Sequence, residues 1–475
     1  MTSTLAKITF LSLLFLLFSP HLIVAETKTY IKEYNYQASE DDSRNSSRVS
    51  AMREVKRLLL EELGTYLESV TEVKNFQLTK DQITALTAGI VKTEMLDEKW
   101  DGHTYWIKTK IVADPDDVVK SIAILRKDRS KSKELDDIKK RSDEILEENK
   151  RLREELHLAK GEDKQKIQKR YDTSIKQLSA IEWFENGYRS VDHKAAIHDY
   201  SKAIELNPKF VEAYINRAWH YEKVGNNNEA IADCSKAIEL NPNFAIAYSN
   251  RGNSYLSLGK YAEAIADFSK AIELNPNYAT AYVDRGIAHK HLRKYREAFI
   301  DFDKAVQIDP KLANAYNGRG LIYMNLGKYN EAILDYDKAV QIDPKLANAY
   351  SNRGTNYLYL GKYTEAIADF NKAIEMNPKD ADAYSYSQRG IAYVYLGKYN
   401  EAFIDYNRAI ELNPKDADAY FNRACAYSLI GNRDRAMQDL STSIKMKSEL
   451  RNNAKTEKDF DNIRNIPEFK RLIGE

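Results

Sequence analysis

Histidines and glycine–lysine steps are the residues of this sequence that could do chemistry. A phosphate-binding loop places Ser or Thr directly after its Gly-Lys step, because that hydroxyl completes the phosphate and metal contacts. Tyr follows Gly327–Lys328 and each of its equivalents, which indicates turns between helices. His289 and His291 stand two apart in a helical segment and diverge, and His193 with His198 is no better placed for a metal. The sequence therefore predicts no catalytic site, no metal site and no cofactor.

Arginine and aspartate recur at two fixed positions. The arginines are Arg217, Arg251, Arg285, Arg319, Arg353, Arg389 and Arg423, and the aspartates are Asp199, Asp233, Asp267, Asp301, Asp335, Asp369, Asp405 and Asp439. We hypothesise that each Asp pairs with the Arg of the following unit, Asp267 with Arg285 and Asp301 with Arg319, which would set the stacking register. The alternative is a set of independent solvated charges, worth about 0–1 kcal/mol each.

A repeated heptapeptide indicates which elements carry these residues. KAIELNP, at residues 202–208, returns at 236–242 and 270–276 and in variant form four more times, always ending in proline. These prolines are 34 residues apart except for a last step of 36, and they stand at positions 208, 242, 276, 310, 344, 378 and 414. A fixed period of this length predicts a stacked array of repeats.

One unit, residues 347–380, divides into two helical segments at Gly361. The aromatic and small residues that recur at helical spacing on either side of this break are Tyr350, Gly354, Tyr357, Ala366, Phe370 and Ala373. Gly354 and Ala366 let the two helices approach closely, and the aromatic rings fill the space around that contact. Each hairpin leaves an apolar face that the next unit must cover, which is why the motif repeats.

This succession of aromatic, small and proline residues resembles the tetratricopeptide repeat across residues 180–448. The resemblance implies a mostly α-helical solenoid of helical hairpins, with about eight units that start at residues 180, 211, 245, 279, 313, 347, 381 and 417. The first unit is short, so we expect a clipped first helix. Two extra residues near Tyr386–Ser387 predict a bulge in the first helix of residues 381–416. Arg293 stands where the neighbouring units have Gly.

The family architecture implies that the first helices line a concave groove that binds extended peptides or partner helices. The family's groove positions correspond here to Asn216, Trp219, Asn250, Ile287, Leu321, Met324, Asn352, Tyr359, Tyr395 and Asn422. Asn side chains can both donate to and accept from a peptide backbone, and the apolar side chains supply burial. For any one residue the alternative is ordinary packing between neighbouring units. Asp284 and Gly318 interrupt the Asn position, and the Lys that holds a chaperone tail in some relatives is absent.

Residues 26–126 have a different pattern, which predicts a small α/β domain. A strand, two helices, a hairpin and a final helix are expected in turn, with the first four at residues 27–37, 44–72, 79–91 and 92–114. The hairpin would turn at Asp101–Gly102. The segment is loosely similar to small envelope domains of bacterial lipoproteins and flagellar accessory proteins, which implies an interaction or assembly role.

Residues 127–178 are highly charged, yet they carry heptads over 135–159. The a positions are Leu135, Ser142, Asn149 and Leu156, and the d positions are Ile138, Ile145, Leu152 and Ala159. Because an Asn at an a position favours a two-stranded parallel register, we predict a coiled coil that joins two copies of the chain into a homodimer. The alternative is a single charged helix that acts as a spacer.

Residues 1–25 indicate a secretory signal peptide. Lys7 supplies positive charge, residues 8–18 an apolar run, and Ala25 a small residue before the expected cleavage site. We expect cleavage and export from a bacterial cytoplasm, to the periplasm or the medium; the alternative is an uncleaved anchor. Cys234 and Cys425 fall in helices several units apart, which favours buried free thiols over a disulfide.

The balance of charge bounds the function. With 72 basic and 71 acidic side chains, the chain lacks the basic surplus of an electrostatic nucleic-acid binder. Residues 449–475 are expected to cap the array of residues 179–448. The sequence thus predicts a non-enzymatic scaffold that binds a peptide or partner protein in the groove. The alternative is an envelope-surface protein that binds peptidoglycan or lipid through its N-terminal domain; an enzyme would lack a motif.

Overall fold

The computed structural model describes residues 28–69, 78–88, 90–127, 129–376 and 383–474. The signal peptide predicted for residues 1–25 lies outside these ranges. The chain divides into two compact units between Pro242 and Asn243. In the described part of the chain, every helix is too short or too polar to qualify as a membrane span.

The first unit begins with the small α/β domain that the sequence predicts. Its strands are β1 (Lys28–Gln37), β2 (Thr93–Trp100) and β3 (Thr104–Ala113), which pair antiparallel in the order β1-β3-β2. Its helices are α1 (Arg44–Ser69), α2 (Lys80–Ala88) and α3 (Pro115–Lys127). Alternate β3 residues, including Tyr105 and Ile107, are fully buried with α1 residues such as Val55. One face of the sheet therefore carries the core, as the period-two pattern predicts.

A hairpin of two long helices follows, α4 (Arg129–Leu158) and α5 (Gly161–Arg189). It corrects the coiled-coil interpretation, because the heptad face of residues 135–159 packs inside one chain against α2 and α5. Both polar a positions have partners there: Arg53 Nε donates to Ser142 Oγ at 2.6 Å, and Ser174 donates to Asn149. Leu152 and Leu156 at the neighbouring d and a positions are 0 % exposed. The predicted homodimer therefore has no free seam at this face.

The predicted boundaries at residues 126 and 178 are not boundaries in packing. Leu135 of α4 joins a cluster with Leu63 of α1 and Ile122 of α3. Helix α5 continues past residue 178 and forms the first helix of the first repeat. The sequence predicted a clipped first helix for this repeat, and that prediction is wrong. The first helix is the end of α5, which has 29 residues. The first unit closes with α6 (His193–Leu206), α7 (Val211–Lys223) and α8 (Asn227–Leu240).

The second unit consists of helical hairpins with nearly constant dimensions. Its repeat helices are α9 (Ala245–Ser257), α10 (Tyr261–Leu274), α11 (Ala279–His291), α12 (Tyr295–Ile308), α13 (Ala313–Asn325), α14 (Tyr329–Ile342), α15 (Ala347–Tyr359), α16 (Tyr363–Met376), α17 (Ala383–Tyr395), α18 (Tyr399–Leu412), α19 (Ala417–Leu429) and α20 (Arg433–Met446). Odd-numbered helices are the first helices of their repeats and even-numbered helices are the second. The mostly α-helical solenoid that the sequence predicts is confirmed.

Two local departures in the repeats differ in outcome. The prediction of a bulge near Tyr386–Ser387 is wrong, because α17 is a regular helix of 13 residues, as long as α15. Residues 377–382, between α16 and α17, lie outside the described ranges. Arg293 has a φ of 58°, close to the 71° of Gly327 in the next repeat. The turn thus keeps its left-handed backbone although the residue is not Gly.

The C-terminal segment covers the last repeat with two short helices, α21 (Leu450–Thr456) and α22 (Pro467–Ile473), and a 3-10 turn between them. Phe460, Ile463 and Phe469 are 0 % exposed and share a cluster with Phe421 and Leu440 of the last hairpin. The apolar face that a further repeat would otherwise cover is buried here.

Candidate protein-binding surface

Six of the eight repeats are closed by a glycine that faces an aromatic ring, and the repeats that begin at residues 211 and 417 have Ala218 and Ala424 at this position. In α13 and α14 the site is Gly320 against Tyr336, where a Cβ on the glycine would lie 2.9 Å from a ring carbon. Tyr336 is 0 % exposed, so its ring has no open space into which it could move. The two helices therefore approach as closely as the sequence predicts, and this contact sets the spacing of the first helices.

The predicted direction of the Arg–Asp pairs is wrong. Arg285 donates to Asp301 of its own repeat through Nε and Nη2, at 3.0 and 2.7 Å, and Asp267 pairs in the same way with Arg251. Arg319 likewise does not reach Asp301 but pairs with the Asp 16 residues after it. In an antiparallel hairpin the middle of one helix faces the middle of the next, which brings these positions together. The pairs hold each hairpin closed.

The register between repeats depends on the remaining nitrogen of the same arginine. Arg353 binds Asp369 through two nitrogens, while its Nη1 donates to Asp337 of the preceding repeat at 2.6 Å. The hydrogen bonds that Arg353 donates to Asp369, and then to Asp337, raise the pKa of Arg353. Burial raises the pKa of Asp369, and Arg353 opposes part of this shift. The same bridge joins Arg217 to Ser201, Arg285 to Ser269, Arg319 to Asp303, Arg389 to Asn371 and Arg423 to Asn407.

In the second unit the first helices line the inner side of the stack. Neighbouring first helices, such as α11 with α13 and α13 with α15, have several Cα atoms within 8 Å of each other. Neighbouring second helices have fewer Cα atoms this close together. A stack that is tighter along one row of helices curves toward that row. The first helices therefore form its concave face.

Eight of the ten predicted groove residues lie on first helices of the second unit. Tyr359 and Tyr395 are the most open of them, at 64 and 65 % exposed. The others are partly buried, and they are Asn250, Ile287, Leu321, Met324, Asn352 and Asn422. The surface thus offers exposed aromatic rings at one end of α15 and α17 and half-buried side chains along the middle of the first helices.

The exposed rings are held in place by residues that sequence reasoning missed. Tyr359 stacks on Tyr329 of the preceding repeat with ring centres 5.4 Å apart, and Tyr395 stacks on Tyr363 at 4.7 Å. Tyr329 and Tyr363 are the first residues of α14 and α16, and they recur 34 residues apart. That spacing was a signal in the sequence. Stacking fixes the rings before any partner binds, which lowers the entropy cost of binding.

The Asn positions take part in contacts between repeats. Asn352 Nδ2 donates to Asn317 Oδ1 at 3.0 Å, and Asn422 Nδ2 faces Ser387 Oγ at 3.5 Å. The interruption at Gly318 also has a steric reason, since a Cβ there would lie 2.4 Å from the ring of Phe302. Both the packing interpretation and a role in gripping a peptide remain compatible with this geometry.

The two predicted groove residues of the first unit lie in a different setting. Asn216 donates to Glu134 of α4 at 2.7 Å, and nearby Arg141 of α4 pairs with Glu212 at 2.8 Å. Helix α4 therefore covers this face of α7 within the chain. Trp219 is 41 % exposed, with its ring against His193.

Two histidines of the first unit contact each other. His193 and His220 share a hydrogen bond between their Nδ1 atoms at 2.9 Å, and burial lowers the pKa of His220 to about 4. Among the described residues, His, Cys, Asp and Glu do not gather in groups of three or more that could hold a metal. Cys234 and Cys425 are buried and form no disulfide with each other.

Family models match the repeats one after another. The tetratricopeptide repeat models match residues 211–244, 245–278, 279–312, 313–346, 347–380 and 417–450, and a TPR repeat model matches residues 390–431. This chain carries multiple tetratricopeptide repeats. No curated protein matches its sequence.

Solved structures of other tetratricopeptide repeat (TPR) proteins are similar to the chain. A chain of the APC/C hetero-tetramer Cut9–Hcn1 is 19 % identical with a TM-score of 0.49; the match covers 66 % of this chain and 59 % of that one. A TPR protein from Parabacteroides merdae is 22 % identical with a TM-score of 0.43, over 52 % of this chain and 97 % of its own. YrrB, a TPR protein with an unusual peptide-binding site, is 29 % identical with a TM-score of 0.31, over 38 % and 93 %.

Proposed function

We propose that this protein is a non-enzymatic scaffold whose TPR groove binds an extended peptide or a segment of a partner protein. TPR proteins bind protein or peptide partners, which supports the general role. The observation that carries the specific proposal is the pair Tyr359 and Tyr395, whose rings are about two-thirds exposed and yet fixed by stacking.

The physical reason is the cost of leaving such rings in water. Stacking buries one face of each ring against its neighbour and leaves the other apolar face in water, where a partner could cover it. Half-buried Leu321 and Met324 continue the apolar surface along α13. A bound peptide would bury the rings, and Asn250 could hydrogen-bond its backbone.

Photo-crosslinking in cells tests the proposal. The photoreactive residue p-benzoylphenylalanine replaces Tyr359 or Tyr395 in one set of strains and Ile404 in another. Ile404 is 67 % exposed, against 65 % for Tyr395, but it lies on the second helix α18. We expect a discrete protein adduct from the groove positions and none from Ile404. Equal adducts from both helices, or none from the groove, would contradict the proposal.

A second candidate function is binding to an envelope surface, peptidoglycan or lipid, through the N-terminal domain. The observation in its favour is a set of exposed apolar side chains on the sheet, Ile31 at 51 %, Val112 at 47 % and Leu96 at 43 %. Co-sedimentation of the protein with peptidoglycan sacculi and with lipid vesicles tests it. Substituting Ile31 and Val112 by Ser should abolish pelleting, whereas the groove variant Tyr395→Ala should not change it.

Export is also part of the proposal, and it rests on the apolar run at residues 8–18. N-terminal sequencing of the protein purified from cells should find a mature chain that begins near residue 26. A chain that keeps its first residues would indicate the uncleaved anchor instead.

A further inference from the structure

A cavity of about 40 Å³ lies in the first unit, away from the TPR groove. It is lined by α1, α2, α4 and α5, and its apolar wall includes Ala85, Leu135 and Ile138. At roughly 10–15 Å³ for each water molecule, it has room for about three waters or for one small organic molecule. A wholly apolar cavity of this size would stay dry, but this one also has charged walls.

Several cations beside the cavity act on one buried carboxylate. Glu185 is 7 % exposed and accepts from Arg53 Nη1 at 3.0 Å and from the ammonium group of Lys56. Arg189, which is half-buried, acts on the same carboxylate and also interacts with Glu182 and Asp199. Three cations therefore act on the buried Glu185. The other acids on α1 and α4 that lie near the cavity already have cationic partners, Glu54 with Arg57 and Lys150, and Asp143 with Lys139.

Burial and the neighbouring charges together set the pKa values of the two central groups. Burial lowers the pKa of Lys56 to about 8; Glu185 opposes the shift, but Arg189 and Arg53 add to it. Burial works against ionisation of Glu185, yet Arg53, Lys56 and Arg189 together lower its pKa to about 2. A further negative charge in the cavity would favour the ionised form of Lys56, which burial and the neighbouring cations oppose.

Lys56 also has more donors than acceptors. Its ammonium group carries three N–H donors, and Glu185 is the acceptor found for it within the described residues. A smaller cavity of about 10 Å³ beside Lys56 and Glu182 has room for about one water, which would serve a second donor. Lys56 also lines the larger cavity, where an acceptor would serve the third donor.

We propose that the larger cavity binds a small monocarboxylate with a short apolar chain. The ligand's carboxylate would accept from Lys56 and partly neutralise the cationic cluster. Its chain would lie against Leu135 and Ile138, where water has no hydrogen-bonding partner. Because α1 and α2 form one wall and α4 and α5 the other, the bound anion would link the α/β domain to the long hairpin. This proposal does not depend on the groove.

Calorimetric titration of the full chain with sodium propionate tests the proposal, against sodium chloride at equal concentration and against ethylammonium chloride of similar size and opposite charge. We expect one saturable propionate site per chain and none for ethylammonium. Lys56→Met should weaken propionate binding at least tenfold. The matched control is Lys150→Met on α4, whose side chain is 52 % exposed and which should bind propionate as the wild type does.

A second variant keeps the test decisive if Lys56→Met does not fold. Ala85 is 2 % exposed and lines the cavity, so Ala85→Leu fills the space and leaves every charge in place. We expect it to abolish propionate binding. The proposal is overturned if propionate gives no saturable heat beyond chloride, if ethylammonium binds equally, or if either cavity variant, once folded, binds propionate like the wild type.

Discussion

Two helical hairpins of this protein reach the same architecture by different contacts. In α13 and α14 the hairpin is closed by Gly320 against Tyr336 and by Arg319 with Asp335, and each pair is 16 residues apart. The hairpin of α4 and α5 instead has a buried carboxylate, Glu185 of α5, which pairs with a third helix. Its partners Arg53 and Lys56 lie on α1, 132 and 129 residues earlier in the chain.

The difference shows how stability is distributed. A TPR hairpin depends on itself and on its immediate neighbours, so damage to one repeat stays local and modest. The long hairpin is held by a third element, and one carboxylate there balances several buried cations. Removing a single partner in the first unit should therefore cost more than removing one in a repeat.

The strongest test of this comparison is Glu185→Ala. It leaves Arg53 and Lys56 buried without their carboxylate, and we expect the first unit to lose about 3–5 kcal/mol of stability toward unfolding. Urea unfolding, with hydrogen exchange to assign the transition to the first unit, measures the loss. The control Glu147→Ala removes a carboxylate from α4 that is 73 % exposed and should cost little. Equal effects from the two variants would break the comparison.

The pH dependence of the same site gives a second test. The pKa of Glu185 falls from 4.5 in the unfolded chain to about 2 in the folded one. Its ionisation therefore stabilises the fold above pH 4.5, and this contribution disappears as the pH falls through 2. The full contribution is roughly 3 kcal/mol, from about 1.4 kcal/mol for each pKa unit. The stability difference between wild type and Glu185→Gln should shrink across this window; a constant difference would contradict the assignment.

In the repeats the largest expected effect is steric. Gly320→Val places methyl groups against the buried ring of Tyr336, and we expect a loss of about 1–3 kcal/mol from overpacking. Thermal and urea unfolding of the second unit measure it. Asn325→Val, at an exposed position of the same helix, controls for the lower helix propensity of Val. If both variants lose the same stability, the close contact is not what closes the hairpin.

A double-mutant cycle separates the observed pairing from the predicted one. Arg285→Ala with Asp301→Ala should show a coupling of about 1–2 kcal/mol, because the two side chains share two charge-assisted hydrogen bonds. Arg285→Ala with Asp267→Ala should be close to additive, since Asp267 pairs with Arg251. The reverse result would restore pairing between successive repeats.

The smallest expected effect is an increase in the stability of the second unit. Arg293 holds a φ of 58°, which costs a non-Gly residue about 1 kcal/mol. Arg293→Gly should therefore raise the stability of the second unit by about that amount. The unfolding midpoint in urea reports it, and a loss of stability would mean that the Arg293 side chain contributes contacts that outweigh the strain.

Much of the fold could be predicted because the repeats encode it locally. The proline period and the alternation of small and aromatic residues specify two helices and their closest contact, and the structure confirms both. The groove positions followed from the same period. The stacked partners Tyr329 and Tyr363 recur at the same spacing but were not predicted, because they begin the second helices and the groove positions lie on the first helices.

Other features were decided by the tertiary structure. The heptads of residues 135–159 specify an apolar stripe with polar breaks at Ser142 and Asn149, but a stripe does not say what will cover it. Here the covering elements belong to the same chain, and Arg53 and Ser174 satisfy the two polar positions. An intrachain partner at high effective concentration outcompetes a second copy.

The sequence by itself determined the helical hairpins, their period and the small α/β domain, because these depend on spacing within one or two helical turns. The tertiary structure alone decided which Asp each Arg meets, what the long hairpin packs against and where positive charge accumulates around Glu185. These depend on side chains that stand far apart in the chain. Their distances, and therefore their electrostatic energies, exist only once the helices have packed.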